Sequence, residues 1–242
     1  MRQYEAVITT LERLGGQATL AKLYQEVLKV DGVVWGTKTP FASIRRIVQV
    51  RPEIFKVRPG LWALESHRSK LGLSLEESDL ALSKEAIERG HSFYQGLLAM
   101  IGNLRGFSTF IPNQDKNKLC LDKPLAEVRS LQEVPAFSYD ELTRRAATVD
   151  VTWFNDRRMP HSLFEVEHST DIRNSLLKFL DLQDFSARMV VVASASRRRE
   201  YDAKTAHSAF RGIAERVAFY DYEALARDYE HEALRTTRDF AL

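Results

Sequence analysis

The sequence predicts an α+β chain in two parts: a small helical unit closed by a hairpin at residues 1–66, and a larger α/β domain at 84–242, joined by a linker at 67–83. Three observations carry this expectation. Apolar residues recur at helical spacing in three short runs before residue 50, and two strand-like runs then flank Arg58-Pro59-Gly60. A polar stretch of mixed charge separates them from a long amphipathic run that begins at Lys84. Beyond it, helical and strand-like segments follow in the order helix, strand, strand, strand, helix, strand, which suits a mixed sheet flanked by helices.

In residues 4–14, Val7, Ile8, Leu11 and Leu14 lie on one helical face, and Gly15-Gly16 ends the helix. Thr19 reads as the N-cap of a second helix whose inward face is Leu20, Leu23, Tyr24, Val27 and Leu28, and Asp31-Gly32 breaks it. Thr39 is the expected cap of a third helix with Pro40 in its first position. Phe41, Ile44, Ile47 and Val48 face inward there, while Ser43, Arg45, Arg46 and Gln49 face outward. Residues 54–57 and 61–64 make a hairpin with a basic tip.

Three helices followed by a hairpin is the order of a winged helix-turn-helix, in which the third helix enters the major groove and the wing tracks the backbone. The segments Gly36-Thr37-Lys38-Thr39-Pro40, Phe55-Lys56-Val57 and Gly60-Leu61-Trp62-Ala63-Leu64, with Ile44, resemble the HARE-type winged helix. Residues 1–66 carry ten Lys/Arg against six Asp/Glu, so the net charge of +2 hides a basic N-terminal part and a net-negative remainder. Such a cluster attracts polyanions, and duplex DNA is the expected partner. Arg45 and Arg46, with Ser43 on the same face, are the expected groove contacts; Lys38, Lys56 and Arg58 would meet phosphates. A protein-binding winged helix, or an ordinary solvated basic face, is the alternative.

The second part opens with a helix over residues 84–104, its apolar side formed by Ile87, Phe93, Leu97, Leu98, Ile101 and Leu104, and Gly106 ends it. A strand at 107–111 follows, then a polar loop, an irregular stretch at 119–147 with a helical piece at 139–145, and two strands at 148–154 and 163–167. A helix at 172–182, a strand at 189–193, a helix at 204–216, a strand at 217–220 and a last helix from Tyr222 complete the order.

The two middle strands hold the chemistry. Asp150 sits in a β-branched and aromatic run, and Phe164 and Val166 alternate with Glu165 and Glu167, so both glutamates share one strand face. The turn-rich residues 155–160 let the strands pair, bringing Asp150 to the two glutamates. Clustered carboxylates repel unless a cation neutralises them, and oxygen-only ligands suit Mg²⁺ or Mn²⁺. Solvent-facing acids on ordinary strands are the alternative.

Asp150 followed by Glu165-Val166-Glu167, on the second and third strands of an αβββαβ order, resembles the PD-(D/E)xK restriction-endonuclease-like superfamily. The departure is glutamate where lysine is usual; the D…ExE form occurs in some type II restriction enzymes of that superfamily. The resemblance implies a metal-dependent endonuclease of restriction or defence type. Asp150 and Glu165 would hold Mg²⁺, Val166 would offer a backbone carbonyl to it, and Glu167 or Lys178 would position or deprotonate the attacking water. One such site cuts one strand, so a double-strand break would need a dimer or two successive events; a homodimer or a partner subunit of a defence system is the association this allows. A non-catalytic DNA-binding regulator with a degenerate nuclease-like domain is the rival reading.

Other residues have plainer expectations. His168 is turned away from the glutamate face, Ser169 and Thr170 read as helix caps, Glu88 as an exposed helix residue, and Arg197-Arg198-Arg199 as a solvated turn. Gln114 and Asp115, after the first strand, are in reach of the acids. One cysteine, Cys120, excludes an internal disulfide and suits a reducing cytoplasm. No apolar run reaches the ~20 residues of a membrane helix, no signal-peptide pattern opens the chain, no Cys/His spacing suggests zinc, and no Gly-rich loop suggests an NTPase.

Overall fold

The computed structural model describes residues 1–36, 39–70, 84–168 and 170–239. The chain divides into two compact units, Met1–Leu82 with Glu230–Leu242, and Ser83–Tyr229. Lys38, most of the expected linker and Ser169 lie outside the described residues.

The first unit contains α1 (Gln3–Arg13), β1 (Gln17–Ala18), α2 (Leu20–Glu26), α3 (Pro40–Val50), β2 (Ile54–Arg58) and β3 (Leu61–Leu64). The strands form an antiparallel sheet in the order β1-β3-β2. Gly15 and Gly16, both at positive φ, turn the chain from α1 into β1. The Thr19 hydroxyl accepts from the Lys22 N–H and starts α2. Val7, Leu11, Leu23, Val27, Ile44, Val48, Ile54 and Leu64 meet in one apolar core. Two expectations need correction. The short strand β1 is unmarked by any alternation. Leu28 does not face inward: α2 stops at Glu26, and the tighter 3₁₀ turn over Val27–Lys29 rotates Leu28 out to 40% exposure.

The second unit runs α4 (Lys84–Leu104), β4 (Ser108–Phe110), β5 (Leu119–Cys120), β6 (Lys123–Pro124), α5 (Leu125–Val128), α6 (Asp140–Ala146), β7 (Val151–Phe154), β8 (Pro160–Glu167), α7 (Ile172–Asp181), β9 (Arg188–Ala193), α8 (Arg198–Thr205), β10 (Val217–Asp221) and α9 (Tyr222–Asp239). From Glu230 onward the chain groups with the first unit. Five strands form a mixed sheet in the order β10-β9-β8-β7-β4. β8, β9 and β10 are parallel, while β7 is antiparallel to both β8 and β4. This is a mixed α/β fold with helices against its sheet, as expected of a restriction-endonuclease-like core.

Residues opposed across an antiparallel pair share a face. Val151 with Phe164, and Trp153 with Ser162, therefore look one way. On that side the Trp153 indole N–H donates to the Leu98 carbonyl of α4 at 3.1 Å. On the other side Leu163 joins Ile172, Leu176 and Phe179 of α7 and Tyr201 of α8 in a buried core.

The helix expected at 204–216 is instead α8, ending at Thr205, followed by a 3₁₀ turn at Ser208–Phe210. His207 Nδ1 accepts from the Ala209 N–H and opens that turn. Phe210 and Ile213 are buried at a spacing of three, which mimics a helical face. Of the expected solvated turn, Arg197 ends the 3₁₀ turn Ala195–Arg197 that Ser194 caps, while Arg198 and Arg199 are exposed, as expected, but begin α8.

α4 comes close to the sheet because it carries glycine at the contact. A Cβ on Gly102 would lie 2.6 Å from Thr109 Cγ2 and 2.7 Å from Trp153 Nε1. Gly102→Ala gains about 1 kcal/mol of helix propensity but meets an overpacking cost of about 1–3 kcal/mol. We expect a lower denaturant midpoint for this variant, with the slope of the unfolding transition unchanged.

Candidate active site

The site lies where β7 and β8 part. Their ladder ends at Val151 opposite Phe164. One residue earlier in β7 and one or two later in β8, side chains replace the ladder. The Val166 N–H donates to Asp150 Oδ2 at 2.8 Å, and the Asp150 N–H points to Glu165 Oε1 at 3.3 Å. Buried backbone donors must find acceptors, and here the two acids supply them. Asp150 ends a tight turn after α6, in which the Val149 N–H donates to the Ala146 carbonyl; the expected strand over 148–154 is therefore shortened to Val151–Phe154.

Each flanking helix brings cationic or polar groups to these acids. From α4, His91 Nε2 lies 3.1 Å from Asp150 Oδ2. One turn further along α4, Gln95 Nε2 donates to the Asp150 carbonyl at 3.3 Å and to Asp115 Oδ2 at 3.0 Å. Asp115 is buried and paired with Lys118 at 2.8 Å, and Lys118 also reaches Glu88 at 3.2 Å. Glu88 is thus part of a network and not merely a solvated helix residue. From α7, Lys178 Nζ lies 2.9 Å from both Glu165 oxygens and donates to the Thr148 carbonyl at 2.8 Å.

Glu167 has a different company. Its carboxylate accepts from the hydroxyls of Ser175 on α7 and Thr170, with Arg197 Nη1 at 3.9 Å. Ser175 is fully buried and also reaches Glu165 Oε2 at 3.4 Å. His168 packs by the stacked rings of Tyr94 and Tyr222, off the glutamate face as expected.

Burial and mutual charge separate the two central acids. Burial favours the neutral form of Asp150, but the hydrogen bond and charge of His91, the charge of Lys178 and the Val166 N–H together hold its carboxyl below the usual range. Glu165 goes the other way: burial and the negative charge of Asp150 push it well above an ordinary glutamate, and Lys178 only partly offsets them. The two carboxyls are thus pushed in opposite directions. That separation is common where acids share a functional site. Burial lowers His91, but its bond to Asp150, reinforced by the charges of Asp150 and Asp115, raises it overall.

The expected residues Asp150, Glu165 and Lys178 therefore meet, and Val166 joins them through its N–H. Glu167 neighbours them through Ser175. His91, Gln95 and Ser175 were not anticipated. A polar stripe of Glu88, His91 and Gln95 beside the apolar face of a helix is the signal that could have found the first two.

The donor chemistry suits a hard cation. Asp150 and Glu165 offer oxygens, and Glu165 is pushed up by burial first and by the charge of Asp150 second. Among the described residues, no group of three His, Cys, Asp or Glu side chains is arranged to hold a metal ion. Mg²⁺ commonly takes only one or two carboxylates and completes its shell with water and substrate phosphate.

In the first unit, Arg45 is engaged: its Nε donates to the Tyr24 hydroxyl at 3.2 Å and its Nη2 to Glu230 Oε2 at 2.5 Å. Arg46 and Lys56 are exposed, and Ser43 and Arg58 are half-buried.

Linkage between His91 and Asp150 has a definite sign. His91 is raised in the folded chain, so its contribution to stability is complete below its ordinary value of 6.5 and is lost as pH rises through the raised value. Asp150 is lowered, so its contribution holds above 3.8 and is lost as pH falls through its folded value. In chelator-treated protein, the His91 ring should titrate above 6.5 by NMR. Asp150→Asn should move that midpoint down, because burial then acts with less opposition; an unmoved midpoint would refute the pairing.

The sequence profile of the family described as the Type II restriction enzyme NmeDI C-terminal domain matches residues 73–240, which include every residue of the acid cluster. The Type II restriction enzyme NmeDI of Neisseria meningitidis serogroup C is 30% identical over 117 residues, covering 44% of this chain and 33% of that enzyme. The chain thus spans about a third of the length of the curated relative it matches. No solved structure matches. The family match covers well over half of the sequence, and the chain belongs to the NmeDI C-terminal domain family of type II restriction enzymes.

Proposed function

We propose that the protein is a metal-dependent DNA endonuclease of restriction type, in which the second unit hydrolyses phosphodiester bonds of a duplex held by the first. The observation that carries this reading is the meeting of Asp150, Glu165 and Lys178 where β7 leaves β8. Family membership supports nuclease chemistry in general. The three-helix, three-stranded form of the first unit, with its exposed Arg46 and Lys56, supports the winged-helix reading.

In this mechanism Asp150 and Glu165 hold Mg²⁺ or Mn²⁺, with the Val166 carbonyl as a further oxygen donor. When bound, such an ion neutralises phosphate charge and lowers the pKa of water. His91 keeps Asp150 ionised and oriented. Lys178 or Glu167 orients the attacking water; Lys178 already lies against Glu165. Of the basic residues, Arg46 and Lys56 are exposed and would meet DNA; Arg45 bonds Glu230 and Tyr24. Lys38 and Arg58 would add phosphate contacts. A homodimer, or a partner subunit of a defence system, would allow cleavage of both strands.

The direct test is incubation of wild-type protein and Asp150→Ala with methylated and unmethylated plasmid in Mg²⁺, Mn²⁺ or EDTA. We expect metal-dependent cutting by wild type alone, with gel-shift affinity for DNA little changed in the variant. Cutting that survives in Asp150→Ala would dismiss this site. Intact binding without any cutting by wild type would favour the regulator with a degenerate nuclease-like domain. For the first unit, Lys56→Ala should weaken duplex binding alike on different sequences and reduce the slope of log K against log salt by about 1. An unchanged slope would remove Lys56 from the interface.

A further inference from the structure

We infer that Glu167 is a positioning residue and not the water-activating group of the site: it ties the end of β8 to Thr170 and α7 and holds Ser175 against Glu165. The inference rests on the nuclease reading and decides between the two groups that reading leaves open.

A general base, or a metal ligand, needs a lone pair directed at the reacting centre. Glu167 has both oxygens committed elsewhere. Oε1 accepts from the Ser175 hydroxyl, and Oε2 accepts from the Thr170 hydroxyl and lies 3.9 Å from Arg197 Nη1. The arginine is itself fixed: Nε and Nη2 bond Glu200 at 3.0 and 2.9 Å, and Nη2 also donates to the Thr170 carbonyl at 2.6 Å. Glu167 thereby joins β8, α7 and the entry to α8 in one knot, and Tyr222 adds a bond to its backbone carbonyl at 3.1 Å.

Ser175 carries the effect to the active centre. A hydroxyl has one proton and two lone pairs. The Ser175 hydroxyl lies within donating distance of Glu167 Oε1 and, at 3.4 Å, of Glu165 Oε2, so the two carboxylates compete for its one proton. Through that competition Glu167 bears on how Ser175 meets the acid beside Asp150. Lys178, at 2.9 Å from both Glu165 oxygens, is the one of the two groups that touches the acid pair directly.

The experiment compares wild type, Glu167→Gln, Glu167→Ala, Lys178→Met and Asp150→Asn in single-turnover plasmid cleavage, calorimetric Mn²⁺ binding and thermal unfolding. An amide at 167 can still serve both hydroxyls, so Glu167→Gln should cut within about tenfold of wild type and bind Mn²⁺ as wild type does. Glu167→Ala should melt at a lower temperature and cut more slowly than the Gln variant. Lys178→Met should lose about a hundredfold or more in rate while keeping Mn²⁺ binding, and Asp150→Asn should lose both. A folded Glu167→Gln protein that loses cleavage or Mn²⁺ binding as fully as Asp150→Asn overturns this inference and leaves the nuclease reading standing. Wild-type protein that neither cuts nor binds Mn²⁺ overturns the nuclease reading itself.

Discussion

The second unit depends on one local exchange, in which β7 and β8 stop bonding through their backbones and bond through two acids instead. The Val166 N–H would otherwise be a buried donor without an acceptor, a loss of about 1–3 kcal/mol. Asp150 provides the acceptor, and Glu165 faces the Asp150 N–H in return. The strands can then separate without leaving backbone groups unsatisfied. The carboxylates of the candidate site are thus structural at the same time as they are chemical. This dual duty explains how acids come to lie so close together inside a folded domain.

Two carboxylates at one point repel, and the flanking helices answer that repulsion from opposite sides. α4 can lie close to the sheet because Gly102 leaves room for Trp153 and Thr109, and from there His91 reaches Asp150. α7 packs through Ile172, Leu176 and Phe179 into the opposite core, and its remaining face delivers Ser175 and Lys178. Core packing on each side therefore sets the polar geometry between. The outcome is asymmetric: Asp150 has several partners that favour its charge, while at Glu165 burial and two neighbouring acids outweigh Lys178.

The family match begins at residue 73, so the helices and strands from α1 to β3 stand outside it. Its architecture rests on its own core and on glycines that end α1. Arg45 shows what a surface reading of charge leaves out. An arginine on the outward side of a helix looks ready for a phosphate, yet Glu230, 185 residues away in sequence, already faces it.

The period-two pattern of Phe164, Glu165, Val166 and Glu167 determined by itself that both glutamates lie on one strand face, because alternation needs no knowledge of neighbours. Helix ends marked by Thr19, Pro40 and Gly15-Gly16 were legible for the same reason: caps and positive-φ turns are local chemistry. The order of the main elements from α4 to β9 was legible too, but β5, β6 and α5 lie in a stretch read as irregular, and the helix drawn over 204–216 was not legible, because Phe210 and Ile213 satisfy helical spacing from within a turn. The partners of the acids were decided only by tertiary structure. His91 is 59 residues from Asp150, and its role exists only because α4 packs across the sheet. Ser175 is an unremarkable helix serine until β8 places two carboxylates beside it. Local sequence dictates which way a side chain points along its own element; which group it meets depends on how distant elements pack, and a single short motif does not encode that.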